Sequence, residues 1–245
     1  MQLSYEELCR KRDYVNSNLS KLSTEQIEAL EKEFECSYTY ESTKIKGNRL
    51  SRDEVRSILE NNAKDMEKDN DVLEITDHSK AFRFMKMYLK KNTYLDEEAV
   101  KEINAIVVED ISVGGVYRNV NLLIPGRKHV PPSPEKAYYK MKKYFNELPY
   151  LPYETATEKA MYAYAMFMKI HPFVDGNSRT GKLIMNYVLM KEGFLPIYIP
   201  KERYKEYVKA FELFALEDQL EPLSKLAAEF ENAQLDKYIE KIDLA

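Results

Sequence analysis

The sequence is poor in the residues that would support several common functional classes. It has 245 residues with no Trp and only two cysteines, too few for a disulfide framework. The formal net charge is −4, so no basic excess indicates a nucleic-acid partner. No apolar run reaches the length of a membrane span, and the first residues lack the apolar segment of a secretory signal. These absences predict a cytoplasmic protein with neither a nucleic-acid nor a membrane partner.

Glycine is also scarce, and its positions divide the chain into helical segments. There are only seven glycines, and because glycine destabilises helix interiors, we expect them between helices. Gly193, for example, follows the helical pattern of residues 179–193 as a C-terminal cap. Helical patterns also follow a capping box at Ser51 and Glu54, cover residues 95–111, begin at Ser133 and Pro134, cover residues 155–170, and run from Lys201 with a break near Pro222.

One segment has the pattern of a β-strand. Val120, Leu122 and Ile124 alternate with polar or exposed neighbours before the turn Pro125-Gly126. The sequence therefore predicts an all-α fold with one small β-hairpin that forms a flap. We expect an N-terminal helical extension over residues 1–50, a core domain over residues 51–230 and a helical tail over residues 231–245.

Residues 171–182, His-Pro-Phe-Val-Asp-Gly-Asn-Ser-Arg-Thr-Gly-Lys, contain the strongest functional signal. They bring a proton acceptor, a carboxylate, two glycines and two cations into twelve positions. A glycine turn before a helix presents backbone N–H groups, which bind phosphate oxygens. The segment therefore predicts a phosphate site at a turn over residues 176–178.

Two other interpretations of this segment compete with this prediction. Residues 176–182 also fit the start of a phosphate-binding P-loop, but Leu183 stands where a Ser or Thr should bind Mg²⁺, and the preceding segment is helical. Alternatively, the residues form a simple turn with solvated charges. A turn alone does not require His, Asp, Asn and two cations at these offsets, which favours a functional site.

The same twelve residues resemble the signature of the Fic family, His-Pro-Phe-x-Asp/Glu-Gly-Asn-Gly-Arg-Thr-x-Arg, at ten of its twelve positions. Residues 117–132 are similar to the flap of that family. Residues 42–48, Ser-Thr-Lys-Ile-Lys-Gly-Asn, resemble the inhibitory motif that some members carry in an N-terminal helix. The resemblance covers about residues 24–230 and implies a Fic-type helical bundle.

The resemblance implies an enzyme that transfers AMP from ATP to a Tyr, Thr or Ser hydroxyl of a target protein, or of the chain itself, and releases pyrophosphate. His171 would be the general base and Asp175 the Mg²⁺ ligand. Arg179 would bind the β-phosphate and Lys182 the γ-phosphate. The implied nucleotide site comprises Gly176, Asn177, Ser178, Arg179, Gly181, Lys182 and Tyr207, the implied target-docking flap comprises Val120, Asn121, Leu122, Leu123 and Ile124, and the implied regulatory residues are Ser42, Lys46, Gly47 and Asn48.

Two of these assignments have structural alternatives. The flap could align an extended target segment by β-strand pairing, or it could be structural cover. Tyr207 could line the adenine pocket or be an ordinary core aromatic, since the chain has 19 tyrosines.

Three departures from the family pattern bear on activity and regulation. The inhibitory motif has Lys46 where the family has Glu, and Lys182 replaces the arginine that this Glu pairs with. Two lysines cannot form that salt bridge, so the hypothesis is a derepressed transferase that does not efficiently remove AMP again. Alternatively, Lys46 points to solvent. Ser178 replaces the family's middle glycine, which matters only if its backbone needs a positive φ.

Two other functions fit the same residues. The enzyme could transfer another phosphate-containing group, such as UMP, GMP or phosphocholine, because the motif specifies phosphate more than base. Alternatively, the protein could be a nucleotide-binding regulator with weak catalysis, an alternative motivated by Lys182 and Ser178. A homo-oligomer also stays open.

Overall fold

The computed structural model describes residues 4–61, 69–91 and 93–245, and helices form all the regular structure in these ranges. The all-α prediction is confirmed. None of the described helices combines the length and apolar character that a bilayer crossing needs. The α-helices are α1 (Tyr5–Asn18), α2 (Thr24–Lys44), α3 (Arg52–Asn61), α4 (Asn70–Leu89), α5 (Glu97–Val107), α6 (Pro134–Glu147), α7 (Ala156–Ile170), α8 (Asn177–Lys191), α9 (Tyr204–Glu217) and α10 (Glu221–Asp243).

The helices begin where the sequence carries capping residues. Ser51 and Glu54 form the predicted reciprocal bonds before α3: Glu54 N donates to Ser51 Oγ at 3.3 Å, and Ser51 N donates to Glu54 Oε2 at 2.8 Å. The N-cap of α6 is Ser133, with Pro134 in the first turn. Thr155 and Glu158 form a capping box at α7. The local sequence therefore determines where α3, α6 and α7 begin.

Some helix bounds differ from the predicted ones. α5 ends at Val107 and is followed by turns, whereas the periodicity extended to residue 111. α8 begins at Asn177 because Gly176 itself is the N-cap, with φ +77°. Gly193 has φ +80°, as expected for a residue that ends a helix. The break before α10 lies at residues 218–220, and Pro222 is in the first turn of α10.

α7 and α8 form the central pair of the fold. Gly181 allows their close approach, because a Cβ at this position would lie 2.9 Å from the ring of Tyr164 and 3.3 Å from that of Phe167. Both helices contribute to two hydrophobic cores. One core lies against α1, α9 and α10, and the other lies against α4, α5 and α6. The loop between α7 and α8 therefore has rigid supports on both sides.

The predicted β-hairpin is wrong: residues 116–124 contain no strand. Leu122 and Ile124 are partly buried and Leu123 is 79% exposed, but Val120, the first apolar residue of the predicted alternation, is 47% exposed. A strand also needs a hydrogen-bonded neighbour, and no backbone N–H in residues 119–124 donates to another backbone group. The flap is thus a single extended segment without a partner strand.

The N-terminal helices contact separate parts of the fold. α1 packs against α10, where Lys11 pairs with Asp236 at 2.6 Å and Tyr14 Oη donates to Asp243 Oδ1 at 2.6 Å. α2 packs against α3 and α4. Through these contacts α2 brings the segment that follows it beside the loop between α7 and α8.

One carboxyl group is buried in the fold without a compensating cation. Glu231 on α10 is 0% exposed, and its Oε1 accepts a hydrogen bond from Leu195 N at 2.9 Å. Oε2 has no partner among the described residues. Burial raises the pKa of Glu231 to about 8.

We expect Glu231→Gln to stabilise the protein at alkaline pH. The folded state holds the Glu231 proton up to about pH 8, whereas the unfolded chain releases it near pH 4.5, so wild-type stability falls as pH rises through this window. Glutamine keeps the acceptor for Leu195 and cannot ionise. The gain in unfolding free energy, measured by urea denaturation, should be on the order of 4 kcal/mol at pH 8 and vanish near pH 4.5. Exposed Glu240 on the same helix provides the control substitution, and a pH-independent difference would contradict this prediction.

Candidate active site

A cavity of about 230 Å³ lies between the α7–α8 loop, the end of the flap and the segment after α2. It brings together many of the residues singled out from sequence. The cavity is lined by His171, Asp175, Asn177, Ser178, Lys182, Tyr207, Lys46 and Ile124 from the predicted set.

Other predicted residues do not line the cavity. A larger groove of about 690 Å³, between α2, α3 and α4, contains none of the predicted residues and is rich in charged side chains. The predicted residues outside the cavity lining are Gly176, Arg179, Gly181, Ser42, Gly47, Asn48, Val120, Asn121, Leu122 and Leu123.

His171 lies where α7 ends. Its φ of 52° and ψ of 61° are left-handed, which is uncommon for a residue other than glycine. The Nδ1 atom is buried and has no hydrogen-bond partner among the described residues. Burial lowers the pKa of His171 to about 4; the backbone of Met168 acts in the opposite direction, and the charge of Arg118 lowers it further. The imidazole is therefore uncharged at neutral pH and can accept a proton.

Two asparagines fix the loop that follows. Asn177 Oδ1 accepts from Phe173 N at 2.9 Å and its Nδ2 donates to Phe173 O at 2.8 Å. Asn104 on α5, which sequence reasoning missed, donates from Nδ2 to Asp175 O at 3.0 Å. A Cβ at Gly176 would lie 2.7 Å from that Nδ2, so both the positive φ and the contact require glycine here.

The first turn of α8 presents free backbone donors. Its N-cap is glycine, so no side chain caps the helix, whereas α7 has the cap Thr155. The leading N–H groups of a helix have no intrahelical partner and attract anions. Ser178 lies inside this turn and does not have a positive φ, so replacing the family's glycine causes no backbone strain.

Asp175 is paired with Lys46. The distance from Lys46 Nζ to Asp175 Oδ1 is 2.8 Å, and the same oxygen accepts from Gly176 N at 2.6 Å. Burial raises the pKa of Asp175, but the hydrogen bond and charge of Lys46 outweigh it, and the pKa lies below its usual value. Lys46 therefore does not point freely into solvent; it places a cation against the predicted metal ligand.

Arg179 lies outside the cavity and is 1% exposed. Its Nη1 donates to Val107 O at 3.1 Å and pairs with Glu74 Oε1 at 3.2 Å. The other Glu74 oxygen accepts from Asn48 Nδ2 at 3.1 Å. The structure thus places Arg179 between α4, α5 and α8, held by Glu74, a carboxylate for which the sequence gave no signal beyond its charge.

Lys182 is a buried amine at the edge of the cavity. It is 2% exposed, and its Nζ donates to Ser42 O at 3.5 Å. No carboxylate of the described residues forms an ion pair with it. Burial lowers the pKa of Lys182 to about 7, and the charges of Arg179 and Lys46 contribute in the same direction. An anion in the cavity would restore its charge.

The other end of the cavity is aromatic. Tyr207 is 3% exposed, its Oη lies 2.8 Å from Tyr164 Oη, and its ring stacks against Tyr204 at 5.8 Å between centroids. Arg127, missed by sequence reasoning, lies over the Tyr204 ring at 5.7 Å and donates to Tyr204 Oη at 3.1 Å. This apolar end is suited to a planar base.

The predicted regulatory residues lie beside the site. Ser42 is buried, its Oγ has no partner among the described residues, and its carbonyl oxygen accepts from Lys182. Gly47 has φ +103°, which turns the chain after α2. Asn48 anchors the segment to α4 by donating to Asp71 O at 3.0 Å.

A second acidic group lies outside the cavity. Asp77, Glu109 and Asp110 form a carboxylate cluster. Lys80 Nζ lies 3.3, 3.0 and 3.7 Å from their oxygens, respectively. Asp175 lines the cavity and this cluster does not, so Asp175 is the better candidate for a divalent cation that acts there.

Comparisons of the sequence with a family model and with curated proteins both find Fic proteins. The model of the Fic/DOC family matches residues 94–189, from the residues before α5 to most of α8. A protein adenylyltransferase Fic from Aedes aegypti is 29% identical over 248 residues, which cover 97% of this chain and 48% of that protein. A protein of the same name from Culex quinquefasciatus is 28% identical, with the same coverage. The chain spans about half the length of the relatives it matches.

Solved structures share the fold. A Fic domain containing signaling protein from Bacteroides thetaiotaomicron superimposes with a TM-score of 0.84 at 20% identity, covering 98% of this chain and 97% of that chain. Fic-1 from C. elegans gives a TM-score of 0.81 at 24% identity, covering 98% of this chain and 72% of that chain. The chain is therefore similar to Fic/DOC proteins over residues 94–189 and shares its fold with these Fic structures.

Proposed function

We propose that the protein transfers AMP from ATP to a hydroxyl side chain of a target protein, and that self-modification uses the same site. One observation carries the proposal: a neutral imidazole, a carboxylate, the uncapped start of α8 and an aromatic pocket line one cavity. The relatives named protein adenylyltransferase Fic support this reaction class.

The proposed reaction begins at His171. Its imidazole takes the proton from the incoming hydroxyl, and the hydroxyl oxygen forms a bond to the α-phosphorus of ATP. The bond from that phosphorus to the bridging oxygen breaks, and pyrophosphate leaves. The amides of Asn177 and Ser178 donate to phosphate oxygens, and Lys182 supplies positive charge.

The residues present fit a divalent cation at Asp175. This carboxylate is partly exposed in the cavity and already holds an ammonium, that of Lys46, at 2.8 Å. Mg²⁺ usually binds through one or two carboxylates together with substrate phosphates, where it neutralises developing negative charge. Lys46 would leave Asp175 for this to occur and could then contact a phosphate.

We propose that the flap docks the target. Val120 and Leu123 are exposed, and the backbone N–H groups of residues 120–124 have no backbone acceptor. An extended target segment could therefore pair with this edge by main-chain hydrogen bonds. Ile124 lines the cavity, which connects the docking edge to the reaction site.

Two alternatives have specific support. The cavity contacts that would bind phosphate do not distinguish one base from another. Transfer of UMP, GMP or phosphocholine is therefore an alternative to transfer of AMP. Lys182, whose burial lowers the pKa of its amine to about 7, favours a nucleotide-binding regulator with weak catalysis. The domain boundaries at residues 50 and 230 and a cytoplasmic location also stay proposals.

We expect His171→Ala to abolish transfer while leaving nucleotide binding intact, because the imidazole acts on the proton and not on the triphosphate. The measurement is incubation with each nucleoside triphosphate labelled at the α-phosphate, followed by detection of labelled protein. Calorimetry of ATP binding shows that the variant remains folded. Binding without label in the wild type would favour the regulator, and equal labelling of wild type and variant would exclude His171 as the base.

We expect the KM for ATP to rise with pH above about 7, because Lys182 then loses its proton in the free protein and must regain it to pair with phosphate. The rise should approach about tenfold per pH unit between pH 7.5 and 9. Lys182→Arg should flatten the profile, since arginine stays protonated. A wild-type KM that does not change over this range would contradict the role of Lys182.

We expect Lys46→Glu to leave AMP transfer unchanged or reduced, because a glutamate beside Asp175 adds repulsion between carboxylates and brings no activating cation. Steady-state transfer rates at saturating ATP provide the measurement. Lys32→Glu on the exposed face of α2 controls for the charge change alone. A clear increase in transfer rate would contradict the derepressed state inferred from Lys46.

A further inference from the structure

Arg118 lies just before the flap and bonds to the backbone around His171. Its side chain is buried, with 3% exposure. Nε donates to His171 O at 2.8 Å and Nη2 lies 3.4 Å from Ile170 O. The backbone N–H of Arg118 donates to Pro172 O at 2.8 Å. Three consecutive carbonyl groups at the proposed base therefore accept from one residue.

The same guanidinium also holds the flap. Nη1 donates to Val120 O at 2.9 Å, at the start of the flap, and Nη2 donates to Pro132 O, after the flap returns to the core. One side chain thus joins both ends of the flap to the loop that carries His171.

The chemistry of this contact specifically suits arginine. The guanidinium is a planar fork with five N–H donors in fixed directions, whereas lysine offers a single point charge. None of the described carboxylates pairs with Arg118, and burial lowers its pKa. A buried cation without a carboxylate is unfavourable unless other groups satisfy its donors. Here backbone carbonyl oxygens fill that role.

The carbonyls that Arg118 binds flank a strained residue. His171 has left-handed φ and ψ, a conformation that costs about 1 kcal/mol or more and persists only when its surroundings hold it. Bonds at Ile170, His171 and Pro172 fix the backbone on both sides of this residue. The imidazole orientation follows from that backbone conformation.

We propose that Arg118 is a positioning residue that fixes His171 and the target-docking flap in one frame, so that a hydroxyl presented by the flap meets the imidazole. This inference rests on the proposed transfer reaction. Arg118 does not line the cavity, so it acts through His171 and the flap and not on the nucleotide.

The test compares Arg118→Lys, which keeps the charge but loses the fork, with Arg118→Met, which loses both. We expect kcat for transfer to fall about 100-fold in both variants, since small misplacements of a catalytic group have effects of this size. The Kd for ATP should stay unchanged. Arg56→Lys and Arg56→Met on exposed α3 are matched controls and should transfer normally. Wild-type kcat in Arg118→Lys would overturn the proposal.

A second measurement separates positioning from general stability. Arg118→Ala leaves space for free guanidinium, and millimolar guanidinium should restore part of kcat, although the same salt lowers stability. Loss of activity that only follows the fraction of unfolded protein, without rescue, would overturn the proposal.

A third measurement does not depend on transfer. The chain has three histidines, so the imidazole NMR signals can be assigned by substitution. We expect the His171 pKa to rise in Arg118→Met, because the nearby positive charge is removed, and to stay closer to wild type in Arg118→Lys. If the His171 pKa is unchanged in Arg118→Met, the proposal that Arg118 acts on His171 is overturned. A wild type that transfers no nucleotide would overturn the proposed function, while this titration would still report on Arg118.

Discussion

The site depends on the hydrogen bonding of the short backbone segment between α7 and α8. A loop of this kind exposes polar groups that must find partners when buried, and side chains from three regions provide them. Asn177 binds both backbone groups of Phe173, Asn104 binds the carbonyl of Asp175, and Arg118 binds the carbonyls of Ile170 and His171. The loop is thereby rigid enough to hold a residue in a left-handed conformation.

A second constraint is the balance of charge around this loop. Lys46, Lys182 and Arg127 line the cavity, and Asp175 is the carboxylate that faces them. The excess positive charge, together with the amides of α8, gives the cavity an electrostatic preference for negative charge. The protein also compensates these cations locally: Lys46 pairs with Asp175, Glu74 pairs with Arg179, and burial lowers the pKa of Lys182.

The segment after α2 contributes to both ion pairs, the one at Asp175 and the one at Arg179. Lys46 contacts Asp175 directly, while Asn48 contacts Glu74, which in turn holds Arg179. The inhibitory-like motif therefore does bear on the site, although through contacts different from the lysine pair inferred from sequence. Lys46 stands where the family has a glutamate, and its ammonium pairs with Asp175, which lies within hydrogen-bond distance.

The sequence by itself determined the helices, their caps and the identity of the motif, because these depend on local periodicity, capping chemistry and residue order. It singled out His171, Asp175 and the start of α8, which the fold brings to one cavity. Tertiary structure decided the rest. Whether Arg179 faces phosphate or Glu74, whether Lys46 meets Lys182 or Asp175, and whether residues 116–124 gain a partner strand depend on which distant groups come within hydrogen-bond distance. Arg118, Asn104 and Arg127 gave no periodic signal, because their importance comes from contacts between elements far apart in the chain.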